Sequence, residues 1–175
     1  MQSTVSIIGA GWIGLPLAHN LKTQGKQVRV TTTSPDKAQR LTESGLQAFE
    51  VSLSPEPQGA GWEQFLDSEV IVVSIPPKVA QKGADFHPDQ MRALLRLVPA
   101  HAKVLYTGSS GIFADHGGET VDEDTAPRLV QPRAQALGHA EEVLRQQLGT
   151  RLTIVRFGGL MGMTVFLVRW RVPNP

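Results

Sequence analysis

The chain has 175 residues with 17 basic and 16 acidic side chains, a net charge of +1, 41% hydrophobic and 19% charged residues, and no cysteine. That length suits one domain with a substantial core, and the near-neutral balance gives no electrostatic footprint for nucleic acid or an anionic membrane surface. Without cysteine there are no disulfides, thiolate metal sites or cysteine nucleophiles. No apolar run approaches the roughly 20 residues that span a bilayer, and no basic-then-apolar leader opens the sequence, so a soluble cytoplasmic protein is expected.

The first element sets the theme. Val5, Ile7 and Ile8 read as a buried strand, and Ile13, Leu17, Ala18 and Leu21 give the next helix an apolar face that ends near Gly25. Between them Gly9, Gly11 and Gly14 stand in G-x-G-x-x-G spacing, with Trp12 and Ile13 inside the loop. In a dinucleotide site the first glycine allows the tight turn, the second admits the pyrophosphate, and the third lets helix and strand pack closely. The helix start adds unpaired N–H groups and the positive end of its dipole. The strand and helix around the loop turn a weak motif into a strong one.

Residues 27–32 form a second strand. Ser34 and Pro35 then read as a cap and first helical residue, with the helix closing at Gly45. Residues 48–53 are a weak third strand, 55–61 a loop and 62–66 a short helix. Residues 69–75 form an apolar strand suited to burial on both faces, stopped by Pro76 and Pro77. An amphipathic helix at 88–98, a strand at 103–107, a helix at 134–148 and a strand at 152–157 complete the series. Alternation of strand and helix predicts a doubly wound, mostly parallel α/β sheet, with ligands bound beyond the carboxyl ends of the strands. Those ends carry Gly9–Gly14, Thr31–Ser34, Ser74–Lys78, with Ser74, Ile75 and Pro76 expected at the cofactor, and the segments 107–113 and 157–162.

NAD-selective domains usually place an acid on the ribose about 20 residues beyond the glycine loop. Here the strand ends in Thr31, Thr32, Thr33 and Ser34 with no carboxylate, and Lys37 and Arg40 follow. Hydroxyls and cations suit a 2′-phosphate, although capping and surface roles explain the same residues equally well. The reading leans to NADP and leaves NAD open.

Four segments together carry a resemblance: the glycine loop, YTGSSGIF at 106–113, GGETVDEDTAP at 117–127 and RFGGLMG at 156–162. In that order they resemble the extended short-chain dehydrogenase/reductase superfamily, within it the NAD-dependent epimerase/dehydratase family, and imply a Rossmann fold that binds NAD(P). The resemblance implies a nucleotide-sugar-like small-molecule substrate and assigns the catalytic serine to Ser109. A hydroxyl that caps the strand end is the competing reading for Ser109. The family's Tyr-x-x-x-Lys is missing. The helix reads PRAQALGHAEE at 132–142, where Arg133 and His139 are the basic side chains, and Tyr106 is the only tyrosine in the chain. The chain is therefore similar to atypical members that keep the nucleotide site and lose the tyrosine and lysine.

Asp115, His116 and Glu119 match no metal-ligand spacing, so no metal is expected. Domain 1–162 is expected to be the nucleotide-binding unit. The apolar tail 163–175 would extend the sheet or promote a homodimer, leaving the family's substrate-binding C-terminal portion largely absent. Three functions stay open: an epimerase/dehydratase-like oxidoreductase, a non-catalytic NAD(P)-sensing module, and an NADP reductase of another Rossmann family such as the β-hydroxyacid type.

Overall fold

The computed structural model describes residues 3–160; the tail expectations lie outside them. In chain order the elements are β1 (Thr4–Ile8), α1 (Gly14–Thr23), β2 (Gln27–Thr32), α2 (Pro35–Glu43), β3 (Gln47–Glu50), β4 (Ser52–Leu53), β5 (Pro57–Gln58) and α3 (Trp62–Leu66). Then come β6 (Val70–Val73), α4 (Val79–Lys82), α5 (Phe86–Leu95), β7 (Lys103–Ser109), a 3₁₀ turn (Ser110–Phe113), α6 (Pro132–Leu148), a second 3₁₀ turn (Gly149–Arg151) and β8 (Leu152–Phe157).

Six strands form one parallel sheet in the order β3-β2-β1-β6-β7-β8, and β4 and β5 make a separate antiparallel hairpin. The chain winds outward from β1 to β3, crosses back to β6 beside β1, and winds outward again to β8. The reversal between β1 and β6 opens a crevice at their carboxyl ends, where a doubly wound sheet binds ligand. Pairing of Ile8 with Val73 brings the glycine loop and the Ser74–Pro77 segment to that edge together.

Side chains alternate across the sheet, as a strand covered on both faces requires. Ile71 and Val73 join Phe65, Met91, Leu94, Tyr106 and Leu144 on one face. Val72 joins Val5, Ile7, Val30 and Leu41 on the other. Each fully buried aliphatic side chain contributes about 1.5–3 kcal/mol. The predicted helix boundaries hold at α2: Ser34 Oγ accepts the Lys37 N–H at 3.3 Å, Pro35 follows, and Gly45 closes the helix at φ +78°.

Several boundaries differ from expectation. The predicted strand 48–53 breaks at Val51, because Ser52 and Leu53 pair with Pro57 and Gln58 instead of continuing along β2. The helix expected at 88–98 starts at Phe86 and ends at Leu95, since Pro88 fits the first turn of a helix and leaves two residues before it helical. The α4 turn carried no sequence signal.

Candidate functional site

The glycine loop is held from below. Gly9 has φ +100°, and a Cβ there would lie 2.4 Å from the Ser74 carbonyl oxygen. Its N–H donates to Thr31 Oγ1 at 2.9 Å, and the Ala10 N–H donates to the Thr31 carbonyl at 3.0 Å. A Cβ on Gly14 would lie 2.1 Å from the Gly9 carbonyl oxygen, so helix α1 sits against the loop only because Gly14 lacks a side chain. Gly11 differs: a Cβ there would meet nothing within 4 Å. The first and third glycines are needed by the protein itself, whereas the space over Gly11 belongs to whatever occupies the crevice.

Two cavities of about 460 Å³ each flank that loop, one lined by Thr31, Thr32, Thr33, Lys37, Trp62 and Gln90, the other by Trp12, Ser74, Thr107, Ser109, Arg133 and Phe157. Both share Gly11, Ile75 and Pro76. They form two compartments across the carboxyl edge of the sheet, meeting at the glycine loop. Gly9 lines the first compartment and Ile13 the second, while Gly14 lies buried behind them. Two compartments that meet at an open shoulder suit, by shape, an extended ligand with two ends.

In the first compartment Lys37 Nζ donates to the Ala10 carbonyl at 2.6 Å, holding a cation beside the loop. Thr33 is exposed at the rim, and the mostly buried Thr32 has its hydroxyl accept the Ser34 N–H at 3.3 Å. The Ser34 hydroxyl is engaged in its cap, and Arg40 is exposed along α2 without lining either compartment. Of the residues expected at this edge, Thr32, Thr33 and Lys37 are therefore brought to the cavity, and Ser34 and Arg40 are not. Thr31 falls in the expected segment Thr31–Ser34, but its clamp on Gly9 was not foreseen; the signal for it was the position directly after Val30, the partner of Ile7 at the end of β1.

In the second compartment Ser109 Oγ accepts the Gly111 N–H at 3.1 Å as the cap of the 3₁₀ turn. The capping reading and a place in the cavity thus coexist, because capping uses the oxygen and leaves the hydroxyl proton to donate. Thr107 spends its own proton on the Val73 carbonyl at 3.1 Å. His139 is exposed on α6 and outside the cavity, while Arg133, two positions into the helix, borders it.

Tyr106 is buried away from the cleft. Its hydroxyl lies 2.8 Å from His87 Nε2, and His87 Nδ1 lies 3.0 Å from Gln90 Oε1. Gln90 Nε2 donates to the Leu53 carbonyl, which sets the direction of the chain: Oε1 must accept from Nδ1–H, so Nε2 accepts from the tyrosine. Burial lowers the His87 pKa, against the opposing effect of its hydrogen bond to Gln90 Oε1. Burial, and then the charge of Glu141, push the phenol of Tyr106 far above its usual value. A phenol so placed does not exchange protons with a ligand.

Glu141, fully buried in α6, accepts from Arg156 of β8 at 2.8 Å and from Arg145 at 3.2 Å. The Arg156 guanidinium also covers the Phe113 ring at 5.0 Å. This ties α6, β8 and the turn after Ser109 into one wall. Asp115, His116 and Glu119 do not assemble with any other ligand; no group of three metal-binding side chains exists among the described residues. Nor is any described helix long and apolar enough to cross a membrane.

The doubly wound sheet and its two-compartment cleft define a Rossmann protein of the dinucleotide-binding type. Residues 4–94, more than half of the chain, match the family described as NADP oxidoreductase, coenzyme F420-dependent, and the chain belongs to that family. It is 28% identical over 162 residues to protein YeeZ of Escherichia coli (strain K12), an alignment covering 90% of this chain and 59% of that protein. It therefore spans less than two thirds of the length of the curated relatives it matches.

The fold is also that of a short-chain dehydrogenase/reductase superfamily protein from Agrobacterium tumefaciens solved with bound NAD, with TM-score 0.69, 17% identity, and coverage of 87% of this chain and 48% of that one. A similar likeness holds to TunA, an NAD-dependent NDP-hexosamine 5,6-dehydratase of tunicamycin biosynthesis, with TM-score 0.70, 20% identity, and coverage of 89% and 54%. The family match thus names NADP oxidoreductases, and the likeness to the epimerase/dehydratase group is one of fold. The match ends at residue 94, so it covers the first compartment and the glycine loop, and stops short of Thr107, Ser109, Arg133 and Phe157.

Proposed function

We propose that the chain is the nucleotide-binding part of an NADP-dependent oxidoreductase acting on a small molecule with a carbonyl or hydroxyl group, of which a sugar-like substrate is one form. The observation that carries this reading is the open shoulder at Gly11 between two compartments at the switch point of the sheet. The adenosine end belongs in the first compartment, with the 2′-phosphate towards Thr33 and Lys37 at the rim. The nicotinamide end belongs in the second, where Pro76 and Ile75 form the shared wall and Ser74 and Trp12 border the space. When bound, the nicotinamide supplies or accepts hydride. The Ser109 hydroxyl hydrogen-bonds the reacting oxygen, beside the apolar side chains of Trp12, Leu137 and Phe157 that line the same compartment.

A second reading, a non-catalytic NADP-sensing module, draws support from the second compartment itself. No aspartate, glutamate, histidine, lysine or tyrosine lines it among the described residues, so no side chain there suits proton transfer near neutral pH. Titration of the 175-residue chain with NADPH and NADH, followed by tryptophan fluorescence, tests the common part of both readings. Trp12 is 43% exposed at the second compartment and reports occupancy. Quenching at least about tenfold tighter for NADPH than NADH is expected. A folded chain that quenches with neither nucleotide overturns the proposal.

A further inference from the structure

Among the described residues, the second compartment holds one charged side chain and none that neutralises it. Arg133 borders a cavity whose other described lining residues are apolar side chains, glycines and hydroxyls, with no carboxylate among them. Arginines elsewhere, Arg29, Arg128, Arg151 and Arg156 among them, hydrogen-bond to protein groups. Arg133 makes no hydrogen bond or ion pair to any described residue. Arg40 makes none either, but it borders neither compartment.

The hydroxyls around Arg133 are not equivalent. Thr107 has spent its hydrogen on the Val73 carbonyl, whereas Ser109 has accepted from Gly111 and keeps a hydrogen to give. The Ser74 hydroxyl has no partner among the described residues. The compartment therefore presents a planar cation and hydroxyl donors against apolar walls formed by Trp12, Pro77, Leu137 and Phe157. A guanidinium offers paired N–H groups that match a carboxylate, and Arg133, exposed at the border of the compartment, has its own free to meet one. One uncompensated positive charge balances a monoanion; a phosphate dianion would need further cations or a nest of backbone N–H groups, and the described lining residues supply no second cation.

We propose that the second compartment recognises a small carboxylate-bearing substrate, its carboxylate paired with Arg133 and its other polar oxygen hydrogen-bonded by Ser109. A hydroxy or oxo acid, including a sugar acid, has this chemistry. The naming of that other oxygen as the reacting one rests on the nucleotide reading above; the carboxylate site itself does not require a bound nucleotide.

The test uses the full 175-residue chain, with and without NADPH, at constant ionic strength. Backbone amide NMR shifts of Ser109 and Gly158, which line this compartment, are followed during titration with isobutyrate, with its neutral isostere isobutyramide, and with inorganic phosphate. Isobutyrate is expected to produce saturating shifts, and the apparent Kd is expected to rise by about tenfold or more in Arg133→Gln, whose otherwise unchanged amide spectrum shows that it is folded. Isobutyramide is expected to bind at least about tenfold more weakly than isobutyrate. Equal binding of the amide, equal binding by Arg133→Gln, tighter binding of phosphate, or no shift up to about 100 mM each overturns the carboxylate site. If NADPH fails to bind while isobutyrate behaves as stated, the nucleotide reading falls and this one stands.

Discussion

At the scale of single residues, the three glycines of the loop separate structural need from ligand need. Alanine at Gly14 would bring Cβ to 2.1 Å from a backbone oxygen, and alanine at Gly9 combines a 2.4 Å clash with a φ of +100°. Either substitution is expected to lower stability by about 1–3 kcal/mol, because backbone must move or strain must be held. Alanine at Gly11 meets open space, so its stability should match the parent within about 0.5 kcal/mol while NADPH affinity falls. Chemical denaturation alongside nucleotide titration distinguishes the cases; a Gly11→Ala chain that binds NADPH normally removes the ligand from that shoulder. The motif was readable as G-x-G-x-x-G. The clamp made by Thr31 was not, because its hydroxyl acts through a contact 22 residues away that depends on strand pairing.

At the scale of elements, α6 and β8 depend on a buried charge. Glu141 is wholly enclosed and the Arg156 side chain is 11% exposed, so each satisfies the other where water does not. Gly108 leaves the room: a Cβ there would stand 2.9 Å from Glu141 Oε1. Glu141→Ala is expected to cost about 3–5 kcal/mol by stranding the Arg156 guanidinium, and pairing it with Arg156→Met should recover much of that loss. Unfolding measurements on the two single variants and the double variant give the coupling, and additive losses would mean that the pair acts independently. Sequence periodicity located α6 well, from Leu137, Ala140, Leu144 and Leu148. It did not foresee a glutamate inside the apolar stripe, since the partner lies on a strand 15 residues later. Capping chemistry located α2 almost to the residue because its signals are local. The strand at 48–53 was misjudged because its break is made by pairing with 57–58.

At the scale of the whole molecule, a directed chain of hydrogen bonds from Tyr106 through His87 and Gln90 to the Leu53 carbonyl joins β7, α5 and the β4–β5 hairpin. Burial depresses the His87 pKa from its usual 6.5, so the folded protein keeps the ring neutral. Above that pH the ring is neutral both folded and unfolded, and it contributes nothing to the pH dependence. As pH falls below 6.5 the unfolded chain takes up a proton that the folded one refuses. Global stability is therefore expected to fall by up to about 1.4 kcal/mol per pH unit from this residue, levelling off below the folded pKa. Comparing the urea midpoint of the parent and His87→Gln between pH 7.5 and 5 checks this. Parallel profiles would show that His87 carries no such linkage.

Local chemistry in the sequence determined the glycine loop, the capping of α2, the alternation of strand and helix, and hence a doubly wound parallel sheet with its ligand edge at the strand carboxyl ends. These follow from contacts over a few residues, where residue type alone decides what the backbone can do. Only the tertiary structure decided which side chains share the cleft: that Lys37 reaches Ala10 while Arg40 stays outside, that Tyr106 faces the core, and that Arg133 borders the compartment of Ser109 without a counter-charge from any described residue. Those outcomes depend on strand order and helix placement, which bring together residues tens of positions apart and which no local pattern encodes.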